Sequence, residues 1–212
     1  ENFIALNPDG SEDINFPYEG KYLDGVTDIK KLKDGSLLVG SWNDFTPDVL
    51  GLPVYRSLIK RKPSGSLDTS FKPKGAFFTH YGQVSSIVVL SSGNIFVTGK
   101  ATIPLHSPTE KGYGFAKIFP DGRADTSAYP YGIDSYAFNV TKFVRMGNDD
   151  VVGISTGTNI SNLTIRGPLF RMDSSGKIRE KVFRHTGILP PVGYTNVSFL
   201  EVRDTSVIMA GR

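Results

Sequence analysis

The sequence has no cysteine, and it has only three methionines and one tryptophan among 212 residues. Without thiols, the chain cannot form disulfide scaffolds, thiolate zinc sites, iron–sulfur clusters or cysteine nucleophiles. It also lacks the roughly 18 consecutive apolar residues of a membrane span, because its longest strongly apolar segment is residues 87–90. We therefore expect no direct insertion into a membrane.

Positively and negatively charged residues are nearly equal in number. Lysine and arginine total 24 against 21 aspartates and glutamates, which leaves a formal charge of +3. The densest basic run, residues 60–62, lies beside a turn, whereas nucleic-acid binding needs basic residues clustered on one face. We therefore expect no nucleic-acid partner. The hydrophobic share of 39% is sufficient for the core of a globular domain.

The chain repeats itself. One element, an apolar run followed by a glycine turn and a second apolar run, occupies residues 3–16, 57–71 and 115–127, with a fainter copy at 169–178. Its turn glycines are Gly10, Gly65, Gly122 and Gly176, separated by 55, 57 and 54 residues. A second element of the same kind interleaves with the first at residues 26–40, 84–99, 140–153 and 197–211. A fixed period of this length is typical of repeat architectures.

Each element has the form of a β-hairpin, since short β-branched and aromatic runs flank a tight turn. Two hairpins per period give four strands, and no sustained 3.6-residue periodicity indicates a helix. The sequence therefore predicts an all-β chain, a β-propeller of four-stranded antiparallel blades with about four repeats of 54–58 residues. A β-sandwich is the alternative, but it has no reason to repeat its sequence.

The repeat boundaries leave the ring size open. The units are residues 1–16 (partial), 17–71, 72–128, 129–183 and 184–212 (partial). With the strands of a blade lettered a to d from the ring centre outward, the chain opens on a c strand and stops on a b strand. Two arrangements fit these ends. In the first, residues 207–211 join residues 3–6 in one composite blade, which leaves no free sheet edge. In the second, the chain is a fragment of a larger propeller.

The stretches at residues 63–71 and 120–127, each paired with an upstream hairpin element, resemble the delta-60 repeat. They read Pro-Ser-Gly-Ser-Leu-Asp-Thr-Ser-Phe and Pro-Asp-Gly-Arg-Ala-Asp-Thr-Ser. The fourth copy departs from the pattern, because residues 176–183 keep the glycine and the phenylalanine and lose Asp-Thr-Ser. The resemblance implies a propeller of a bacterial secreted or surface protein, and it implies no reaction.

Candidate ligand-binding residues come from the long connections. The a–b and c–d turns are short, whereas the b–c and d–a connections are long and emerge on one face, where propellers usually bind. These connections are rich in aromatic side chains with polar neighbours, which suit a glycan or an extended peptide. The candidates are Trp42, Asn43, Asp44, Phe45, Phe78, His80, Tyr81, Tyr131 and Tyr136. The alternative is that these aromatics pack beneath their own loops.

Evidence for catalysis or metal binding is thin. Asp9, Ser11 and Asp13 alternate like calcium ligands, but local aspartate turns explain the pattern without a cation. The three histidines lie in different units without metal-ligand spacing. Five loop carboxylates are left for a glycosidase pair at the ring mouth: Asp24, Asp44, Asp48, Glu110 and Asp134. We expect no catalytic residues, no metal and no cofactor.

Three functions follow from these observations. The favoured one is a non-catalytic, extracytoplasmic binding or scaffold propeller on a bacterial cell surface or secreted, whose long-loop face meets a glycan, a peptide or a protein. The second is a carbohydrate-active hydrolase or lyase with carboxylates at the ring mouth. The third is a structural spacer within a larger surface lipoprotein, with flanking domains of the parent chain as partners.

Overall fold

A computed structural model of the chain describes residues 5–16, 25–45, 56–71, 83–99, 115–125, 127, 140–155, 169–179, 197–203 and 206–211. These residues form β-strands joined by tight turns, with no α-helix among them. The all-β prediction is therefore confirmed. The strands coincide with the β-branched and aromatic runs of the repeat, the residues that best fit a pleated, half-buried surface.

The strands follow the repeat in order. They are β1 (Val26–Lys31), β2 (Leu37–Phe45), β3 (Arg56–Arg61), β4 (Ser86–Val89), β5 (Ile95–Thr98), β6 (Phe115–Ile118), β7 (Val140–Arg145), β8 (Val151–Ser155), β9 (Leu169–Met172), β10 (Ile178–Arg179), β11 (Val197–Arg203) and β12 (Ser206–Gly211). All pairing is antiparallel, in sheets ordered β1-β2-β3, β4-β5-β6, β7-β8-β9-β10 and β11-β12. We refer to these as the first to fourth sheets.

The fourth strand of each unit is weaker than the sequence predicts. In the third sheet β10 forms a ladder with β9, in which Ile178 pairs with Met172. In the first and second sheets the same place holds a single bridge, Arg61 with Leu67 and Ile118 with Ala124. Among the described residues, three-stranded sheets are thus the common element.

Consecutive sheets contact each other through their first strands, β1 with β4, β4 with β7 and β7 with β11. Leu38 and Leu58 of the first sheet pack with Ile87, Ile95 and Ile118 of the second in one buried cluster. This order, in which each sheet is covered by the next, is propeller-like.

Between the second and third sheets the core is aromatic. Phe96 and Phe115 of the second sheet meet Phe143 of the third at centroid distances of 6.1 and 5.8 Å, and Phe143 meets Phe170 at 6.0 Å. The three pairs are edge-to-face, a favoured geometry for aromatic rings. Both aromatic and aliphatic clusters therefore hold neighbouring sheets together.

The aspartates of the turns act locally. The Oδ1 of Asp9 accepts hydrogen bonds from the backbone N–H and the hydroxyl of Ser11, at 2.9 and 2.7 Å. Asp68 binds Ser70 in the same way, and Asp125 binds Ser127. These are the aspartate turns expected as the alternative to calcium, and they account for the Asp-Thr-Ser motif as a turn.

The first hairpin, residues 5–16, repeats the turn but lacks a sheet within the described residues. Leu6 bridges Glu12, as Arg61 bridges Leu67 six residues later. Leu6 is 58% exposed, whereas the equivalent Arg61, Ile118 and Met172 are at most 1% exposed. The described part of β12 pairs with β11 alone. Ring closure through residues 3–6 and 207–211 involves residues outside the description and stays a prediction.

Candidate functional site

The two ends of the sheets carry connections of very different length. The a–b turns span residues 32–36, 90–94 and 146–150, whereas residues 46–55, 99–114 and 156–168 separate the second strands from the third. Residues 72–85 and 180–196 precede the first strands of the second and fourth sheets. Because neighbouring strands are antiparallel, the start of each first strand and the end of each second strand lie at the same end. We call this the long-loop end.

At the long-loop end the first strand begins with a bulge in the first, third and fourth sheets. The register of β1 against β2 shifts between Val26 and Asp28, that of β7 against β8 between Val140 and Lys142, and that of β11 against β12 between Val197 and Phe199. In the second sheet the backbone N–H of Ser85 donates to Thr98, the residue paired with Ser86. Bulges re-aim side chains and are common beside functional sites.

The residue at this place has a hydroxyl side chain in all four units. It is the bulge residue Thr27, Thr141 or Ser198 in three of them and Ser85, directly before β4, in the second. The Thr27 hydroxyl donates to the carbonyl of Val84 in the next sheet. The signal was present in the sequence as a Val-Thr or Val-Ser pair opening each second element, but only the register assigns it to a bulge.

The residue after the bulge joins the first strands of neighbouring sheets. The Asp28 carboxylate accepts a hydrogen bond of 2.7 Å from the backbone N–H of Ile87, and it also receives Lys30 Nζ at 2.9 Å. One sheet further, the Ser86 hydroxyl oxygen accepts from the backbone N–H of Phe143 at 3.3 Å. Among the described residues a first strand pairs with its second strand alone, and these side chains accept from backbone N–H groups on the opposite edge.

At the short-turn end the contacts also cross between sheets. Arg145 donates to the carbonyl of Val89 at 3.4 Å, and Lys33 Nζ donates to the carbonyl of Ser91 at 3.3 Å. The carboxylate of Asp149 accepts from the backbone N–H of Ser91 at 3.0 Å. The inner edge of β4 is therefore covered by side chains from both neighbours, which blocks addition of a further strand.

Electrostatics at the short-turn end favour ionised aspartates. Burial alone would raise the pKa of Asp149, but the hydrogen bonds from Ser91 and the Arg145 guanidinium outweigh it and hold the pKa below its ordinary value. The pKa of the buried Asp125 is also lowered. The hydrogen bond from the Ser127 hydroxyl and the Lys117 ammonium, 3.1 Å away, outweigh the effect of burial and lower its pKa.

Part of the predicted ligand surface belongs to a strand. The sequence places residues 42–55 in a loop, but β2 continues to Phe45, which pairs with Arg56 after an irregularity that begins beyond Gly40. Trp42, Asn43, Asp44 and Phe45 therefore extend the second strand at the long-loop end, and their side chains lie outside the description. So do Phe78, His80, Tyr81, Tyr131 and Tyr136. Their role in binding stays a prediction.

Within the described ranges, no group of three histidines, aspartates or glutamates is placed to hold a metal ion. The loop carboxylates Asp24, Asp48, Glu110 and Asp134 and the three histidines lie in other parts of the chain. The same ranges contain no helix of the length and apolar character needed to cross a membrane.

No family model matches the chain, and no curated protein sequence matches it. The delta-60 assignment therefore stays a prediction. Among solved structures, the chain is similar to a proposed gluconolactonase at 14% identity with a TM-score of 0.48, over 97% of this chain and 62% of that one. It is also similar to a protein of unknown function from Dyadobacter fermentans at 14% identity and a TM-score of 0.38, over 71% and 48%. The chain thus spans less than two thirds of either structure, and the likeness is distant.

Proposed function

We propose that the chain forms blades of a β-propeller of the delta-60 type and acts as a non-catalytic binding or scaffold module. Its long-loop end meets a glycan, a peptide or a protein, in an extracytoplasmic setting on a bacterial cell surface or as a secreted protein. In this proposal each unit is a four-stranded blade, about four repeats are present, and the chain either closes a ring or belongs to a larger one.

The difference between the two ends of the sheets carries this proposal. Turns 32–36, 90–94 and 146–150 are tight and fixed by backbone hydrogen bonds, for example from the N–H of Gly35 to the carbonyl of Leu32 at 3.0 Å and from Gly93 to Leu90 at 3.0 Å. The opposite end carries every long connection between described strands. Binding residues concentrate on connections held by a rigid scaffold, because connections vary without disturbing the strands.

The extension of β2 also supports binding at the long-loop end. Residues 42–45 continue a strand whose earlier part is buried, since Leu38, Val39 and Ser41 are fully buried. An aromatic residue on a rigid strand loses little entropy on binding, and this makes it an effective contact for a sugar ring or a peptide. Trp42 is the single tryptophan of the chain, so its fluorescence reports on this position alone.

The test is to probe glycan and peptide arrays with the purified protein and to measure the affinity of any positive ligand by isothermal titration calorimetry, with the fluorescence of Trp42 as a second readout in variants that keep this residue. We expect a saturable response that Trp42→Ala weakens at least about tenfold, the size expected for an aromatic hot spot. Lys62→Ala, an exposed residue beside a short turn, is the matched control and should bind normally. Absence of any ligand, or equal loss in both variants, argues against binding through the long-loop end, and cleavage of an array glycan would indicate a hydrolase.

A further inference from the structure

The ladder between β2 and β3 is interrupted where the extension of β2 begins. The two strands pair up to Gly40 and again at Phe45, so residues 41–44 lie opposite Ser57 alone. The hydroxyl of Ser57 is fully buried and makes no hydrogen bond within the described part of the chain. The third strand therefore contributes little to holding residues 41–44 in place.

At the same place the second unit contacts the first through Val84, which lies shortly before β4. The backbone N–H of Val84 donates to the carbonyl of Ser41 at 2.9 Å, and its own carbonyl accepts from the hydroxyl of Thr27. Both backbone polar groups of Val84 are thus bound by the first sheet. Val84 and Ser41 are fully buried, and a buried backbone group that loses its hydrogen bond is costly.

Two glycines make room for this contact. A β-carbon on Gly40 would lie 2.6 Å from the side chain of Val84, and a β-carbon on Gly99 would lie 1.7 Å from the carbonyl oxygen of Gln83. Neither distance leaves space for a side chain. Residues 83–84 therefore lie tightly between the end of β2 in the first sheet and the end of β5 in the second.

We propose that the second unit positions the extension of β2, residues 42–45, through the contact of Val84 with the first sheet. Trp42, the first of the four candidate binding residues in this extension, directly follows Ser41. A binding segment that is held in place before its ligand arrives loses less entropy on binding. The binding surface thus belongs to two units jointly, and a single unit would not present it. The inference rests on the proposed function only for the role of residues 42–45 in binding, and their positioning is measurable without a ligand.

Hydrogen–deuterium exchange of the ligand-free protein measures this positioning. Gly40→Ala places a β-carbon against Val84, so we expect the exchange rate of the peptide that contains residues 41–45 to rise about tenfold or more, the size expected from overpacking at a local contact. Gly153→Ala is the matched control, because its β-carbon would meet the ring of Phe170 at 2.2 Å in the third sheet, and it should leave this peptide nearly unchanged. A rise of equal size in both variants would reflect a general loss of stability and would overturn the proposal.

A milder variant decides the outcome if Gly40→Ala does not fold. Thr27→Val removes the hydrogen bond to the Val84 carbonyl with little change in shape, and it should raise the exchange rate of residues 41–45 about fivefold, as expected for one hydrogen bond. Thr27→Ser keeps the hydroxyl and should restore slow exchange. Thr141→Val, the same change at the bulge of the third sheet, should leave residues 41–45 as they are in the unmodified protein. Unchanged exchange in Thr27→Val would overturn the proposal.

A ligand found on the arrays gives a second readout. It should bind Gly40→Ala at least about tenfold more weakly than the unmodified protein, and it should bind Gly153→Ala normally. Undiminished affinity in Gly40→Ala, together with faster exchange of residues 41–45, would overturn the role of this contact in binding. Absence of any ligand would count against the proposed function alone, because the exchange rates still decide whether the second unit positions the extension.

Discussion

The carboxylate of Asp149 accepts hydrogen bonds from both the backbone N–H and the hydroxyl of Ser91, although the two residues belong to the a–b turns of different sheets. Asp149 has a φ of 65°, in the left-handed region. The equivalent turns place Gly35 and Gly93 there, with φ values of 82° and 85°. The turn of the third sheet thus has an aspartate at the glycine position, and this aspartate contacts the second sheet.

This exchange predicts different effects for two substitutions of Asp149. Asp149→Ala removes the contact but keeps a β-carbon in the left-handed conformation, so we expect a loss of about 2 kcal/mol in the free energy of unfolding. Asp149→Gly also removes the contact but relieves a strain of about 1 kcal/mol, so it should lose roughly half as much. Urea unfolding measures both, and equal losses would show that the conformation of Asp149 is not strained.

A second prediction concerns the space beside Gly153. A β-carbon there would lie 2.2 Å from the ring of Phe170 and 2.7 Å from that of Phe143. Gly153→Ala should therefore destabilise the protein by about 1–3 kcal/mol through overpacking. Gly147→Ala is the matched control, since a β-carbon at Gly147 meets nothing within 4 Å. Thermal unfolding of the two variants should separate them clearly, and similar melting temperatures would contradict the tight packing between β8 and β9.

Much of this fold was predictable from the sequence, because turn glycines and β-branched runs are local signals. Gly10, Gly65, Gly122 and Gly176 all have left-handed φ values in the turns where the period placed them. Contacts between units were not predictable in this way. That Asp28 serves Ile87, 59 residues away, depends on which strand edges meet, and no local pattern encodes it.

Burial was also hard to predict where one repeat departs from the others. Arg61 is 1% exposed at the position held by Ile118 and Met172, and its guanidinium donates to the carbonyl of Gly65 at 2.7 Å. Nothing in the basic run at residues 60–62 indicates that its middle residue is the buried one. The long stem of arginine packs like an apolar residue when its polar end finds an acceptor. The aromatic ligand surface remains a sequence prediction, because its side chains lie outside the description.

The third prediction concerns acid. Seven described aspartates have a lowered pKa: Asp9, Asp34, Asp68, Asp121, Asp125, Asp149 and Asp173. As pH falls, the unfolded chain binds protons at these groups first, near the ordinary value of 3.8. Their contribution to stability is therefore complete above about pH 5 and is lost progressively as pH falls through 3.8 toward the folded-state values. The melting temperature should fall steeply over this window.

Asp125 allows this to be tested at one residue. Asp125→Asn removes the ion pair with Lys117, 3.1 Å away, and should destabilise the protein at pH 7. The difference in unfolding free energy between the variant and the unmodified protein should shrink as pH falls below 3.8, because the unmodified Asp125 also becomes neutral. A difference that stays constant from pH 7 to pH 3 would contradict an ionised, stabilising Asp125.

The fourth prediction tests the composite blade of the proposed ring. Leu37 pairs with Arg61, Ile95 with Ile118 and Val151 with Met172. The same register would place Leu6 opposite Val207. The chain has no cysteine of its own, so a Leu6→Cys, Val207→Cys double variant should form one disulfide, since directly opposed residues lie about 4.5–5.5 Å apart.

The controls for this variant are built into the repeat. Ile95→Cys with Ile118→Cys should cross-link in the same way, and Leu6→Cys with Ile208→Cys, which is one residue out of register, should cross-link slowly. Mass and gel filtration then distinguish a disulfide within one chain from one between two chains. Faster cross-linking of the out-of-register pair would contradict the proposed register.

The series Asp28, Ser86 and Lys142, whose members pair with Gly40, Thr98 and Ile154 of their second strands, also limits how repeats of this kind can be exchanged. Asp28 and Ser86 each accept a hydrogen bond from the first strand of the following unit, so the chemistry of this position is matched to a neighbouring sheet. If the first and third units were interchanged by recombination, Lys142 would stand before the N–H of Ile87 and two donors would meet. Units that look equivalent in sequence therefore have a fixed order, and duplication of one of them would require a compensating change in the unit beside it.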